Sequence, residues 1–433
     1  MELANKRVYL LGDSYTTFFG HIPEGYACYY GPSWDTNDVA RVEDTWWHSL
    51  ITETGMELVK NNSFSGSTVS CTHYNGFTNR NNFVGRIRRD LTRGFFEENP
   101  VDILLVFGLT NDQWVPAPRG NISFGIHDDT ANCQVYPALA TLLHLLTENL
   151  PKTQIVFVRN TGFDDDMNAA IDTVCGHYRV PVCKLTFFPK VNNHPNMEGM
   201  ASIRSQVADF LRALPEKAPA HVGDLFILGD SYSTFEGWIP EGNHDNYTTA
   251  LNLRSDVTRV EQTWWHQLMG LTDARLVLND SYSGSTICHT TYGLRYDPET
   301  SFLGRFRKWK AAGFFDTHPV DTLLIFGGTN DEWAGAPHGE VHIPAVTEED
   351  NSRIYPALDS LLKLAKETLP NARIIFMINS MFKDTYRADL AAVCEENGIP
   401  VLKLHDVEMT FGHPIEAGMT AIANQTHAFL ERL

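Results

Sequence analysis

The stretch VYLLGDSYTTFFGHIPEGY at residues 8–26 returns as LFILGDSYSTFEGWIPEGN at residues 225–243, and this repetition decides the architecture. Each copy opens on an apolar run of strand length, passes through Gly-Asp-Ser-Tyr, and enters a loop punctuated by Gly and Pro. Working outward, RVEDTWWHSL returns as RVEQTWWHQL, NNSFSGST as NDSYSGST, FVGRIRRDLTRGFF as FLGRFRKWKAAGFF, VDILLVFGLTNDQW as VDTLLIFGGTNDEW, and NNHPNMEGM as FGHPIEAGM. The displacement is 217 residues at Ser14/Ser231 and 219 at His194/His413, so the 433-residue chain is a tandem duplication with almost no insertion. A repeat this long, against roughly 20–50 residues in a solenoid, can bury a core of its own. The expected division is a first domain at 1–213, a linker at 214–223 (LPEKAPAHVG), and a second domain at 224–433. Pro, Ala and charged residues interrupt both periodicities in the linker.

Within the first copy, short apolar runs alternate with amphipathic segments. Strands are expected at VYLLG (8–12), MELVKN (56–61), DILLVFG (102–108), QIVFVRN (154–160) and VPVCKL (180–185), with counterparts LFILG, RLVLN, TLLIFG, RIIFMIN and IPVLKL in the second. Helical patterns lie around 43–54, 82–96, 132–149, 164–178 and 196–213. Continuously apolar strands, each followed by a helix, predict an α/β fold in each copy, with a central parallel sheet of about five strands covered on both faces.

Composition narrows the function classes. Asp and Glu number 53 against 34 Lys and Arg, a net charge of −19, which repels phosphate backbones and argues against a nucleic-acid partner. No stretch approaches the roughly 18 apolar residues of a membrane span. The opening MELANKRVYLLGDSY shows no signal-peptide pattern, which leaves the compartment open. Seven cysteines with no C-x-x-C pair predict buried free thiols rather than a disulfide framework or a zinc site.

The unusual polar residues fall at the carboxyl ends of the predicted strands, where an open parallel sheet binds its ligands. Asp13-Ser14 follows the first strand, Asn62 through Gly66 the second, Thr110-Asn111-Asp112 the third, and His194 the fifth. Asp230-Ser231, Asp280 through Gly284, Thr329-Asn330-Asp331 and His413 repeat the set. A serine becomes a nucleophile when a base takes its proton, and histidine is that base near neutral pH. A glycine N–H and an asparagine amide can hold the oxyanion of a tetrahedral intermediate. Ser, Gly, Asn and His together make a complete acyl-transfer site.

On these four blocks both copies resemble the SGNH hydrolases, the GDSL esterase superfamily, over essentially the whole chain. GDSY matches the first block, NNSFSGST and NDSYSGST the second, FGLTND and FGGTND the third, and NHPN and GHPI the last. The resemblance implies two flavodoxin-like α/β/α sandwiches and ester hydrolysis through an acyl-enzyme with no metal or other cofactor. It implies Ser14 and Ser231 as nucleophiles and His194 and His413 as bases. Gly66, Asn111, Gly284 and Asn330 become the oxyanion donors, beside the nucleophile's own N–H. The chain departs from the family in one place: the acid three residues before the histidine is replaced by Val191 and Thr410. A backbone carbonyl can hold the same imidazole tautomer. In the second copy Asp406 lies near enough in sequence to serve His413, whereas its counterpart is Phe187, so the second copy is expected to be the better catalyst and the first weakened or silent.

The remaining signals receive plainer readings. Asp13 and Asp230 are expected to bond the turn backbone, and Trp46-Trp47-His48 and Trp264-Trp265-His266 to pack a core. Asp164-Asp165-Asp166 is expected to cap a helix, and His338 and His342 to hold no metal. Trp114, Trp333, Tyr15 and Tyr232 are the candidate substrate wall. The expected substrate is a small acyl ester, foremost an O-acetyl carbohydrate. A lysophospholipid or other lipid ester is the alternative, and a carbohydrate-binding module that has lost turnover in one or both copies is the rival from another class.

Overall fold

The computed structural model of the chain describes residues 1–32, 37–74, 76–250, 255–342 and 344–433. Contacts divide the chain into two compact units, Met1–Ala218 and Pro219–Glu431. In unit 1 the sheet strands are β1 (Arg7–Gly12), β2 (Glu57–Asn61), β3 (Ile103–Phe107), β4 (Gln154–Arg159) and β5 (Val182–Lys184). In unit 2 they are β6 (Asp224–Gly229), β7 (Arg275–Ser281), β8 (Thr322–Phe326), β9 (Arg373–Ile378) and β10 (Val401–Lys403). All pairings within each sheet are parallel, in the order β2-β1-β3-β4-β5 and β7-β6-β8-β9-β10. This is the flavodoxin-like order, whose switch point lies between the first and third strands.

Every residue of β3 and of β8 is buried, as expected for central strands covered on both faces. Alternate residues of β1, Val8 and Leu10 against Tyr9 and Leu11, enter two different cores. Val8 and Leu10 pack with α1 (Trp46–Thr54) and with Met200, Ile203 and Val207 of the carboxyl-terminal helix of the unit, Met197–Ala213. Tyr9 and Leu11 pack with the helices Phe83–Thr92, Val135–Asn149 and Asp165–His177. Three layers result, and unit 2 repeats them. Trp46, Trp47, Trp264 and Trp265 are fully buried, and the Trp46 indole donates to the Tyr15 carbonyl at 3.0 Å, so the helix after the nucleophile loop is both packed and pinned to it. Burying side chains of this size stabilises by more than the ~1.5–3 kcal/mol of an ordinary aliphatic core residue.

Helix starts follow local chemistry. Asn82 accepts from the Gly85 N–H and Asp164 from the Met167 N–H, so Asp164 caps its helix. The expected strand at 180–185 is shortened to three residues because the chain leaves the sheet early to reach the histidine hairpin. One cysteine expectation is corrected: Cys71 and Cys133 are joined in a disulfide, with Cα atoms 4.4 Å apart, and Cys28, Cys175, Cys183, Cys288 and Cys394 are free. A sequence separation of 62 residues hides such a pair, because only the fold brings the loop after β2 onto the start of the helix Val135–Asn149. Among the described residues no helix is long and apolar enough to cross a membrane.

Candidate active site

The serine sits where β1 gives way to a single helical turn. A Cβ on Gly12 would stand 2.6 Å from Thr16 and 2.7 Å from the Ser63 hydroxyl, so only glycine lets the strand end this tightly. Asp13 caps the turn Ser14–Thr16 by accepting from the Tyr15 N–H at 3.0 Å. Asp230 does the same for Tyr232 N–H at 3.0 Å. The second carboxylate oxygen of each is buried with no hydrogen-bond partner among the described residues, and burial pushes both acids up to about 7. These acids hold the turn.

The histidine arrives on a two-residue hairpin. Lys190–Val191 pairs antiparallel with His194–Pro195, and Met409–Thr410 with His413–Pro414. The turn residues have positive φ at both positions, +50° and +61° at Asn192 and Asn193, +50° and +76° at Phe411 and Gly412. Val191 and Thr410 are therefore the cross-strand partners of His194 and His413. His194 Nε2 lies 2.9 Å from Ser14 Oγ and its Nδ1 lies 2.9 Å from the Asn192 carbonyl. In unit 2 the same distances are 3.0 Å to Ser231 and 3.3 Å to the Phe411 carbonyl. A carbonyl only accepts, so Nδ1 carries the proton and Nε2 is left to accept from the serine hydroxyl.

Asp406 is a correction. It lies in a left-handed turn, φ +49°, that throws its carboxylate outward; the side chain is 85% exposed and sits 3.2 Å from His405 Nδ1 rather than turning to His413. With it goes the reason for ranking the second unit above the first, since each histidine is held by a hairpin carbonyl.

Gly66 and Gly284 take φ of +79° and +85° in the turn after β2 and β7. Asn111 and Asn330 lie on the helical turns Thr110–Trp114 and Thr329–Ala334 that follow β3 and β8. Their amides donate to the Ser67 and Ser285 carbonyls at 2.9 and 3.0 Å, which brings the second and third blocks together. The Tyr74 hydroxyl donates to Asn111 Oδ1 at 2.9 Å, and Tyr292 to Asn330 Oδ1 at 2.7 Å. The amide oxygen is thereby occupied, and the second N–H of each asparagine has no hydrogen-bond partner among the described residues. Asp112 and Asp331 clasp the same turn by accepting from the backbone of Val69 and Ser70, and of Ile287 and Cys288. Burial pushes Asp331 up to about 6 and raises Asp112 in the same direction.

Two further pairs escaped the sequence reading. Tyr74 and Tyr292 stand at the same spacing after the block glycine in both copies, a signal that was legible. Arg86 and Arg305 are buried and donate to the carbonyls of Gly12 and Asn62, and of Gly229 and Asp280; each also donates to a serine hydroxyl, Ser67 at 2.9 Å and Ser285 at 3.1 Å. Burial lowers Arg86 to about 10, which leaves it charged at neutral pH. Each guanidinium thus ties the end of the first strand to the glycine block. The recurrence of Gly-Arg in FVGRIRR and FLGRFRK marks them in sequence.

The aromatic candidates separate into two groups. Tyr15 and Tyr232 are fully buried beneath the hairpin, their hydroxyls donating to the Asn193 and Gly412 carbonyls; as a substrate wall they are corrected to braces of the hairpin. Trp114 and Trp333 are 41% and 39% exposed, with ring centroids 5.9 and 5.8 Å from His194 and His413. Tyr29, unmarked in the sequence reading, stacks on His194 at 3.4 Å and 8°. A cavity of about 150 Å³ lies next to the hairpin, lined by Thr110, Gln113, Trp114, Asn160, Lys190 and Asn193 among others, with neither Ser14 nor His194 in its lining.

The family model of the GDSL-like lipases/acylhydrolases matches residues 6–211 and again residues 224–430. Among solved structures, a protein described as a GDSL-like lipase from Bacteroides ovatus ATCC 8483 is 36% identical, over 50% of this chain and 100% of its own, with a TM-score of 0.45. Another from Bacteroides uniformis ATCC 8492 is 36% identical, over 47% and 92%, with a TM-score of 0.43. A family two carbohydrate esterase from Clostridium thermocellum, solved with cellohexaose, is 17% identical, over 50% and 66%, with a TM-score of 0.35. No curated protein matches the chain.

Proposed function

The chain belongs in both halves to the GDSL-like lipase/acylhydrolase family and is a carboxylic ester hydrolase, and from that premise we propose that each unit hydrolyses small acyl esters, foremost acetyl groups on carbohydrate, by a Ser-His dyad. The observation that carries the reading is the serine-to-histidine hydrogen bond in both units, at 2.9 and 3.0 Å, with the other imidazole nitrogen on a backbone carbonyl. Ser14 Oγ attacks the ester carbonyl carbon as its proton passes to His194 Nε2. The oxyanion is held by the Ser14 and Gly66 N–H groups and by the free N–H of Asn111. Collapse expels the alcohol, which takes the proton back from the imidazolium. Water then repeats the sequence on the acyl-serine, and Ser231, His413, Gly284 and Asn330 act alike in unit 2. The Asn192 and Phe411 carbonyls stabilise the imidazolium in place of the missing carboxylate.

Thr110, Asn160, Thr161 and Lys190 give the cavity next to the hairpin a polar lining, which suits a polar alcohol better than a lipid chain. Trp114 and Trp333 offer an exposed ring face to a sugar. Labelling with a fluorophosphonate tests the reading. The parent is expected to take up two equivalents, Ser14→Ala and Ser231→Ala one each, and the double variant none. A parent that takes up none would turn the reading to the binding module.

The pH dependence has a defined sign. Burial lowers the His194 pKa, the Asn192 carbonyl opposes that, and the nearby Lys190 charge lowers it further. The base must be neutral to accept a proton. With Ser231→Ala leaving unit 1 alone, kcat/KM for an aryl acetate is expected to rise with pH to a plateau, its inflection below the ordinary histidine value of about 6.5. Lys190→Met removes a lowering charge and moves the inflection upward. A kcat/KM that falls as the pH rises from 5 to 8 contradicts a role for His194 as base.

A further inference from the structure

The two sites are built alike around the serine and differently one step away. In unit 1 the hairpin that delivers His194 carries Lys190, whose ammonium lies 3.2 Å from the Thr161 hydroxyl and 4.5 and 5.5 Å from the Phe188 and Tyr15 rings. Its ammonium also lies 3.5 Å from Asn160 Oδ1, the buried Asp13 carboxylate attracts it through space, and it lines a cavity together with Trp114 and Asn193. In unit 2 the same hairpin position is Met409, and the position of Gly162 is Met381; both sulfurs contact the Tyr232 hydroxyl, at 3.6 and 3.3 Å. A lysine ammonium in unit 1 is thus replaced by two thioethers at the same place in unit 2.

A second exchange runs in the same direction. Each unit has a cleft against the outer side of its glycine-block loop, of about 510 Å³ beside Phe64 and about 810 Å³ beside Tyr282. The first is floored by the ion pair of Lys60 and Asp90 at 2.8 Å, where the second has Leu278 and Trp309. At its mouth stand the exposed Arg80 and Arg93, where the second has Glu299 and Ala312, although the second cleft keeps Arg307 and Lys308 in its lining.

Resting on the dyad reading above, we propose that the two units have diverged in the alcohol they release: unit 1 takes esters whose alcohol carries an anionic group, a carboxylate or sulfate, and unit 2 takes uncharged ones. The alcohol is the half concerned because the imidazole returns its proton to the leaving oxygen, so the leaving group lies on the histidine side, where Lys190 and Met409 stand.

The test uses three matched aryl acetates, 3-acetoxybenzoate, 3-acetoxybenzenesulfonate and the neutral 3-acetoxybenzamide, with Ser231→Ala reporting unit 1 and Ser14→Ala unit 2. The ratio of kcat/KM for either anion to that for the amide is expected to be about fivefold or more higher in unit 1, and to fall as NaCl screens the charge. Lys190→Met is expected to lower that ratio in unit 1 and Met409→Lys to raise it in unit 2. Ratios that agree within about twofold while both units hydrolyse the amide overturn the divergence and leave the esterase reading standing. A unit 1 preference that survives Lys190→Met overturns the assignment to this lysine. Failure of the parent chain to hydrolyse any of the three overturns the dyad reading itself.

Discussion

The double variant Ser14→Ala, Ser231→Ala is expected to lose at least about 10⁴-fold in kcat/KM toward an aryl acetate, because the hydroxyl is the group that forms the acyl bond and nothing beside it can replace that step. Each single variant is expected to retain the rate of the untouched unit. This follows from the near identity of the two constellations, Nε2 to Oγ at 2.9 and 3.0 Å and both imidazoles held by the carbonyl of the first turn residue. The loss should fall in kcat with little change in fold, since among the described residues each serine hydroxyl bonds only the imidazole while the turn is held by Asp13 and Asp230. Steady-state rates, with circular dichroism to confirm the fold, decide the matter. A double variant within tenfold of the parent would remove these serines from the chemistry.

The expectation of equal units replaces the inequality that the sequence suggested, and the reason is instructive. The four polar blocks were legible because each is a residue type with one chemical use at a strand end, and because the chain repeats them in register. The parallel sheet was legible because apolar runs alternated with amphipathic ones. What sequence could not show was direction. Asp406 is seven residues from His413, but its left-handed turn sends the carboxylate to His405. Tyr15 is adjacent to the nucleophile, yet the capped turn rotates its ring into the core beneath the hairpin. Cys71 and Cys133 meet only through the tertiary fold. Beyond the recurrence of Gly-Arg, Arg86 and Arg305 carry no mark in the sequence that separates them from the other basic residues of their helices, whereas each is buried and adds a charged donor to a strand-end carbonyl.

The second large effect is expected at the oxyanion donors. In the Ser231→Ala background, Asn111→Ala should lower kcat by about 10²–10³-fold, the usual cost of removing one donor aimed at developing negative charge, with KM nearly unchanged. Asn330→Ala should do the same in the Ser14→Ala background. The asparagine has a structural duty as well, since one N–H holds the Ser67 or Ser285 carbonyl, so the alanine variant alone does not separate positioning from catalysis. Tyr74→Phe and Tyr292→Phe do. Each removes only the hydroxyl that occupies the amide oxygen, at 2.9 and 2.7 Å, and so frees the amide to turn its oxygen toward the oxyanion. If the second N–H serves the transition state, these variants lose a smaller factor, about tenfold, again in kcat rather than KM. Asn111→Asp then falls at least as far as alanine, because a carboxylate offers no donor and repels the oxyanion. Equal losses in kcat and binding, or an aspartate variant better than alanine, would place Asn111 in the scaffold of the turn and leave the Ser14 and Gly66 N–H groups as the donors of unit 1.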